Sequence, residues 1–409
     1  MLPALRNGNY RMWLFGLSVA NIGTWMQRIA QDWLVLQLSH NSGTALGLIT
    51  GVQFLPILLL GPVGGVLADR FPRRKLLMWT QLVVGLCGVV LGGLVLGGGV
   101  AIWHVYVIAV ALGIANAVFQ PTVQSFVLEL VTREELVSVV GLSGGSFHAA
   151  RLIGPGLAGL LITVGGTGPV FLIAAATVLC PVIALVRMDT SRLHPVPADR
   201  GSGLLRAGIA YAVRDPVIRL VLGVTAFVGV FALNSPVTTA LMATAVFGKG
   251  AGEFGLLGSV VAIGSLAGAA IAIRRKTVPV RFVVAAATAF VVLNLLSGFS
   301  PSYLAFALVL VTVGMAQITF IVAANSCLQL VSAPQLRGRV MALFMVLTMG
   351  TAPLGAPIVG WVAEQTSARV ALVAGNLAAL LGIALVLWLH RRAANRSRPA
   401  PQDKELVAT

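Results

Sequence analysis

Arg28 and Asp32 stand four residues apart in the stretch Asn21 to Trp33 (NIGTWMQRIAQDW), whose flanks are apolar enough to cross a bilayer. Asp32 is the acidic residue that the chain carries at membrane depth. A charge there costs about 2.5–3.5 kcal/mol on insertion scales, and two chemistries would justify the pair. Asp32 can take up and release a proton while Arg28 and a substrate compete for it. Alternatively, the two residues form a permanent ion pair that ties the first span to its neighbours. Burial and the guanidinium act on the carboxylate in opposite senses, so a contact that changes with conformation would gate a proton. Arginine before aspartate is the less favourable order on a helix. At 100° per residue, Asn21, Thr24, Trp25, Arg28 and Asp32 fall within an arc of about 100°. Lipid cannot satisfy such a stripe, which therefore faces water or protein.

Arg151 is a second cation at depth, three residues after His148 and just before Gly154 and Pro155. It is a candidate to contact substrate or to partner Asp32 between helices. Gln53, then Asn116, Gln120 and Gln124 at i, i+4 and i+8, then Asn234, Gln317 and Asn325 are further polar groups within apolar runs. Each is a cavity-lining group or an interhelical hydrogen bond averaging about 0.6 kcal/mol. Asn21, Trp25, Gln53, Asn116, Gln120, His148, Arg151, Asn234 and Gln317 make up the candidate substrate cavity.

Other chemistry is excluded by context. Gly141 to Gly145 (GLSGG) satisfies the G-x-S-x-G hydrolase pattern with His148 nearby, but that pattern works on a strained strand-to-helix turn over a sheet. Here it lies in a glycine-rich apolar helix. No phosphate-binding loop, HExxH motif or Cys/His metal cluster is present, so no enzyme, ATP-driven pump, cofactor or metal site is expected. Cys87, Cys180 and Cys327 fall in separate spans and read as small packing residues.

The elements that must position these groups are membrane-spanning helices. The 409 residues are 58% hydrophobic and 10% charged, with a mean hydropathy of +0.95. Soluble domains carry roughly 25% charged residues. Apolar runs near 13–38, 44–68, 76–97, 101–123, 137–163, 168–186, 217–241, 254–273, 280–297, 302–326, 340–363 and 369–389 are each long enough to cross. The expectation is an all-α membrane protein of twelve transmembrane helices. The first run is longer than a signal-peptide core and is expected to be retained. Of the 28 lysines and arginines, Arg28 and Arg151 fall inside spans and Lys249 and Arg369 on one side. All the others fall on the side of the termini, which the positive-inside rule makes cytoplasmic. The net charge of +16 is then a topology signal with some attraction to anionic lipid, and nucleic acid is not an expected partner.

A polar interval from Arg187 to Arg219 divides the spans six and six, with Ser202 to Val213 reading as a short amphipathic surface helix. The expected organisation is an N-terminal half over 1–190, a linker over 191–216, a C-terminal half over 217–390 and a tail over 391–409. The halves resemble each other. Leu128 to Leu136 (LELVTREEL) aligns with Leu328 to Leu336 (LQLVSAPQL), and Gly154 to Gly159 (GPGLAG) with Gly355 to Gly360 (GAPIVG). A parallel repeat of six-helix halves is the architecture of transporters that rock about a midplane site. One chain holds the whole set, so a monomer is expected.

Between the second and third spans, Gly65 to Lys75 (GVLADRFPRRK) resembles the signature loop of the major facilitator superfamily: Gly, three residues, Asp-Arg, two residues, then basic residues. Pro72 stands where many members have glycine. More narrowly, Asn9 to Trp13 (NYRMW), Gln31 to Val35 (QDWLV), Ala149 to Pro155 (AARLIGP) and Leu336 to Met341 (LRGRVM) resemble the enterobactin-exporter-like and macrolide-efflux-like branch of drug:proton antiporters. The arginine common in the fourth span of antiporters is absent from Tyr106 to Gly113, and Gly154-Pro155 follows the longer fifth-span glycine motif only in part. The resemblance implies the major facilitator fold. It also implies a conformational role for Gly65, Asp69, Arg70, Arg73 and Arg74, with Asp69 facing a helix N-terminus of the other half, where a dipole favours a carboxylate. Arg70, Arg73 and Arg74 would supply cytoplasmic ion pairs.

The expected function is secondary active export of an amphipathic small molecule (an antibiotic, siderophore or metabolite) from a bacterial cytoplasm, in exchange for protons. Uptake of an organic acid or nutrient by the same fold, and lipid handling without ion coupling, stay open. Arg28 and Arg151 against Asp32 favour anionic or neutral substrates over strongly cationic ones.

Overall fold

The computed structural model describes residues 3–132, 135–193, 210–273, 278–334 and 336–396. Every regular element among them is helical. The first six crossings are α1 (Gly8–Leu38), α2 (Gly43–Arg70), α3 (Arg73–Leu96), α4 (Ile102–Leu130), α5 (Leu136–Gly165) and the pair α6 (Thr167–Thr177) and α7 (Leu179–Arg187). The next six are the pair α8 (Pro216–Phe231) and α9 (Ser235–Leu241), then α10 (Ala251–Ile273), α11 (Val280–Ser297), α12 (Tyr303–Val331), the pair α13 (Arg337–Met349) and α14 (Ala352–Gln365), and α15 (Ala368–Arg396). Most of the expected amphipathic surface helix lies outside the described residues; 210–214 form one helical turn. α4 and α12 run past the expected ends at 123 and 326, and α15 continues into the expected tail.

Eleven crossings meet both length and hydropathy requirements for a span. α1 falls short in hydropathy through its polar stretch, yet its 31 residues extend about 46 Å and pack along α5, α6 and α7.

Three crossings are broken, each at the residue where a proline takes effect. A proline cannot donate to the carbonyl four residues earlier and its ring clashes with it. Pro181 sits four residues after the last residue of α6, Thr177. Pro236 sits four after Ala232, where α8 gives way, and Pro353 four after the end of α13 at Met349. Turns are closed by caps: Asn7 accepts from the Asn9 and Tyr10 amides, and Ser42 opens α2. His40 and Asn41, both at positive φ, reverse the chain between α1 and α2.

α1 to α7 pack among themselves, as do α8 to α15, and the two groups meet along two seams, α2 with α14 and α5 with α10. Both seams are built on glycine. Gly43 faces Gly360, Gly47 faces Ala356, and Gly159 faces Gly255, each leaving no room for a Cβ. Such approaches let helix backbones touch in the absence of a hydrophobic drive between apolar surfaces in lipid. All these contacts lie at the end of the molecule opposite the termini. At that end one core runs through both groups, from Met26 and Leu46 to Phe254 and Ala356. At the other end the first group keeps a separate small core around Tyr10, Trp13, Leu77 and Phe126. The molecule is closed at one end and parted at the other.

Within the second group, a Cβ on Gly264 would meet the carbonyl of Val311 in α12, whereas one on Gly141 in α5 would meet nothing. Gly264→Ala is expected to cost about 1–3 kcal/mol by overpacking. Gly141→Ala should be neutral or stabilising by up to about 1 kcal/mol through helix propensity. Melting of the two purified variants in detergent checks this contrast.

Candidate functional site

The polar stripe of α1 is real, but its charges are partnered differently from the simplest reading of its spacing. Arg28 and Asp32 make no ion pair within 4.0 Å; the ion pairs among the described residues are Arg73 with Asp69 and Arg73 with Glu129. The Arg28 guanidinium instead lies over the Phe54 ring of α2, 5.2 Å from its centroid. Arg151 of α5 lies 5.6 Å from the centroid of the Trp25 ring, and Phe147 meets Trp25 edge-on at 6.0 Å. Each of these half-buried cations rests on an aromatic face, an attraction of roughly 0.5–2 kcal/mol according to how far it is desolvated. The permanent Arg28–Asp32 pair is therefore absent, and Arg151 does not pair with Asp32 either.

Asp32 is left 9% exposed with no hydrogen-bond or ion-pair partner among the described residues. Arg28 stands one turn before it on α1, and Arg151 three residues after His148 on α5. A charged carboxylate buried without a direct partner is costly, so Asp32 either meets water or carries a proton. Its neighbours along α1 reach the other half of the molecule. Trp33 stacks on Phe254 of α10 at 6.3 Å, and Ile29 packs beside Gly258. Asp32 thus sits between two residues of the closed seam.

The remaining candidates divide. Gln31, 1% exposed, donates its Nε2 to Gln53 Oε1 of α2 at 3.2 Å, so Gln53 is tied to the flank of the stripe. Asn116 Nδ2 bonds the Leu112 carbonyl of its own helix at 3.0 Å. Asn234 spends its amide on the Gly229 and Val230 carbonyls at the break between α8 and α9. These two amides serve their own backbone, because a carbonyl one turn away is the nearest acceptor in a span. Asn21 is half-buried, Gln120 exposed and Gln317 buried.

His148 belongs with a different feature. With Gly141, Gly145, Leu152, Pro155 and Gly159 it lies on one face of α5 at 100° per residue, the face that packs on α10 toward the closed end. There Gly156 N–H donates to Ser259 Oγ at 3.1 Å, and that hydroxyl donates to the Leu152 carbonyl. Toward the termini the same face stands open around Gly141 and Gly145.

The signature loop lies at the parted end. Arg73 bonds Glu129 and the Ala68 carbonyl, and Arg74 bonds the Leu185 and Val186 carbonyls at the end of α7. Asp69, with a side chain 40% exposed, has only a loose contact with Arg73 at 3.9 Å. Arg70 is exposed, and Gly65 has open space where Gly64 packs on Ala117. Asp69 does not meet a helix N-terminus of the other half here, because the halves are apart at this end. Arg74 closes helix carbonyls rather than forming an ion pair.

Sequence reading missed Phe54 and Phe147, which carry no signal beyond being apolar. It also missed the buried Asn294–Asn376 hydrogen bond of 3.1 Å between α11 and α15, two asparagines in apolar runs that could have flagged it.

A family model described as a transmembrane secretion effector matches residues 1–407. Macrolide efflux protein A of Streptococcus pyogenes is 27% identical over 197 residues, 48% of this chain and 47% of that protein. Enterobactin exporter EntS of Shigella boydii serotype 18 is 24% identical over 260 residues, 62% of this chain and 60% of that protein. In these matches the chain spans about half and about three fifths of the relatives' length. The crystal structure of a bacterial homolog to the human lysosomal transporter Spinster, inward-facing and occupied, superposes with a TM-score of 0.74 at 14% identity. That match covers 96% of this chain and 98% of the other, a likeness of fold.

Gln53→Leu should leave Gln31 buried and unpaired, costing about 1–3 kcal/mol. Adding Gln31→Leu should restore most of that loss. Denaturation of the single and double variants in mixed micelles measures the coupling.

Proposed function

The chain belongs to the transmembrane secretion effector family of the major facilitator superfamily, and from that premise we propose that it exports an amphipathic small molecule by alternating access, in exchange for protons. It is a multi-pass membrane transporter and not an enzyme. The observation that carries the proposal is Asp32, a buried carboxylate with no direct partner, set between two residues that touch across the closed seam.

On this reading the protein lies in a bacterial cytoplasmic membrane with both termini inside. The parted end then faces the cytoplasm and admits substrate toward the Trp25, Arg28 and Arg151 region. Two cations against one carboxylate, with Phe54, Phe147 and Trp25 supplying flat apolar faces, suit a neutral or anionic amphiphile. Macrolide efflux and enterobactin export, the activities named for two relatives, support a drug or siderophore. Substrate and proton compete for the environment of Asp32. A proton crossing 100 mV contributes about 2.3 kcal/mol, enough to drive export uphill by tens of fold. Closing the cytoplasmic end would bring the Gly141, Gly145 and His148 face of α5 against Leu266 and Ala270, the exposed continuation of the α10 face that already holds Gly255 and Ser259.

Proton release on adding a panel of macrolides and siderophores, recorded in weak buffer, tests the proposal with purified wild type and Asp32→Asn. Wild type should release protons; Asp32→Asn should bind without release and fail to drive transport in vesicles. Binding with no release from either protein would replace exchange by uniport or lipid handling.

A further inference from the structure

Glu364, one residue before the end of α14, reaches from one half of the molecule to the other. Its Oε2 accepts hydrogen bonds from the Ser42 hydroxyl at 2.8 Å and the Thr44 backbone N–H at 2.9 Å. Ser42 is the N-cap of α2, and its own Oγ accepts from the Ala45 N–H at 3.1 Å. The first turn of α2 is therefore capped twice, once by its own sequence and once by a carboxylate lent by the opposite half. A helix start offers unsatisfied N–H groups and a positive dipole end, both of which favour such a carboxylate.

The companion seam lacks a carboxylate lent by the opposite half; at the start of α10 the carboxylate is Glu253 of the same half, which accepts from the Gly250 N–H at 3.2 Å. Aligning Gly154 to Gly159 with Gly355 to Gly360 places Thr163 of α5 where Glu364 stands in α14. Thr163 donates to the Gly159 carbonyl of its own helix at 2.9 Å and merely lies against Gly252 at the start of α10. That seam is held by glycine packing and by the neutral bonds of Ser259. One of two related seams is thus clamped by a charge. The clamp is exposed, so water can replace it when the helices part, whereas the glycine contacts beneath it offer water nothing to bond.

We propose that Glu364 is a latch residue that holds the end opposite the termini closed, acting through the N-terminus of α2. Its release would accompany opening of that end in the transport cycle. The second part rests on the export reading; the latch itself does not.

The test is a distance measurement between spin labels at Gln37→Cys and Gln365→Cys, with Cys87, Cys180 and Cys327 replaced by alanine. Wild type should show a dominant short distance. Glu364→Gln should raise the ratio of long to short distances roughly two- to fivefold, with the melting temperature little changed. Ser42→Gly, which keeps a residue suited to the cap but removes the hydroxyl, should shift the ratio the same way. It serves as the second variant if Glu364→Gln does not express. Combining the two should add less than their separate effects. A distribution unchanged in both variants overturns the latch. Shifted distances without any transported substrate would leave the latch standing and sink export, and transport with unmoved distances would do the reverse.

Discussion

Hydrocarbon offers no hydrogen-bond partner, and most of this structure can be traced to that lack. Side-chain donors at depth are spent on the nearest carbonyl, usually one turn back: Thr50 on Leu46, Thr225 on Val221, Asn116 on Leu112. Proline breaks are confined to three crossings, where flanking turns and neighbouring helices absorb the freed groups. The two half-buried arginines at depth, with no carboxylate in contact, rest on aromatic rings. Asp32 is the acidic group that the constraint leaves without a direct partner, and the Gln27 amide nitrogen of the same helix is buried without one as well.

The same medium removes the hydrophobic drive between helices, so the two halves adhere through close backbone contact at glycines. Such contacts have two stable arrangements, packed or parted, and little between, since interiors are close-packed and resist gradual deformation. α5 displays both. Gly159 is packed on Gly255, while Gly141 and Gly145 on the same face stand free. A single helix face that is zipped at one end and open at the other is the geometry a rocking motion requires.

The spans were legible because twenty apolar residues in a row have one economical solution in lipid; the resemblance of the halves was read from two short strings that recur at offsets of 200 and 201 residues. The helix breaks were present in the sequence as Pro181, Pro236 and Pro353, but hydropathy windows do not see them. The site was less legible. Spacing places Arg28 and Asp32 within reach of each other, yet a long side chain chooses among partners on other helices, and Phe54 offered the better one. Asn234 read as a cavity group because span rotation, and the break that draws its amide to local carbonyls, cannot be seen in composition. Asp69 shows a further limit. On the alternating-access reading, a residue expected to act when the parted end closes has only a loose neighbour while that end is open.

The placement of Asp32 links these strands. α1 is the least apolar crossing because it carries the charged stripe, and it is also the helix whose Ile29 and Trp33 touch α10 across the closed end. Changing the charge of Asp32 changes how much water that stretch of α1 must hold, and water at Asp32 competes with dry packing one residue away at Trp33. No relay across the protein is needed. On the export reading, a proton and the gate are coupled because the carboxylate and the seam share one turn of one helix.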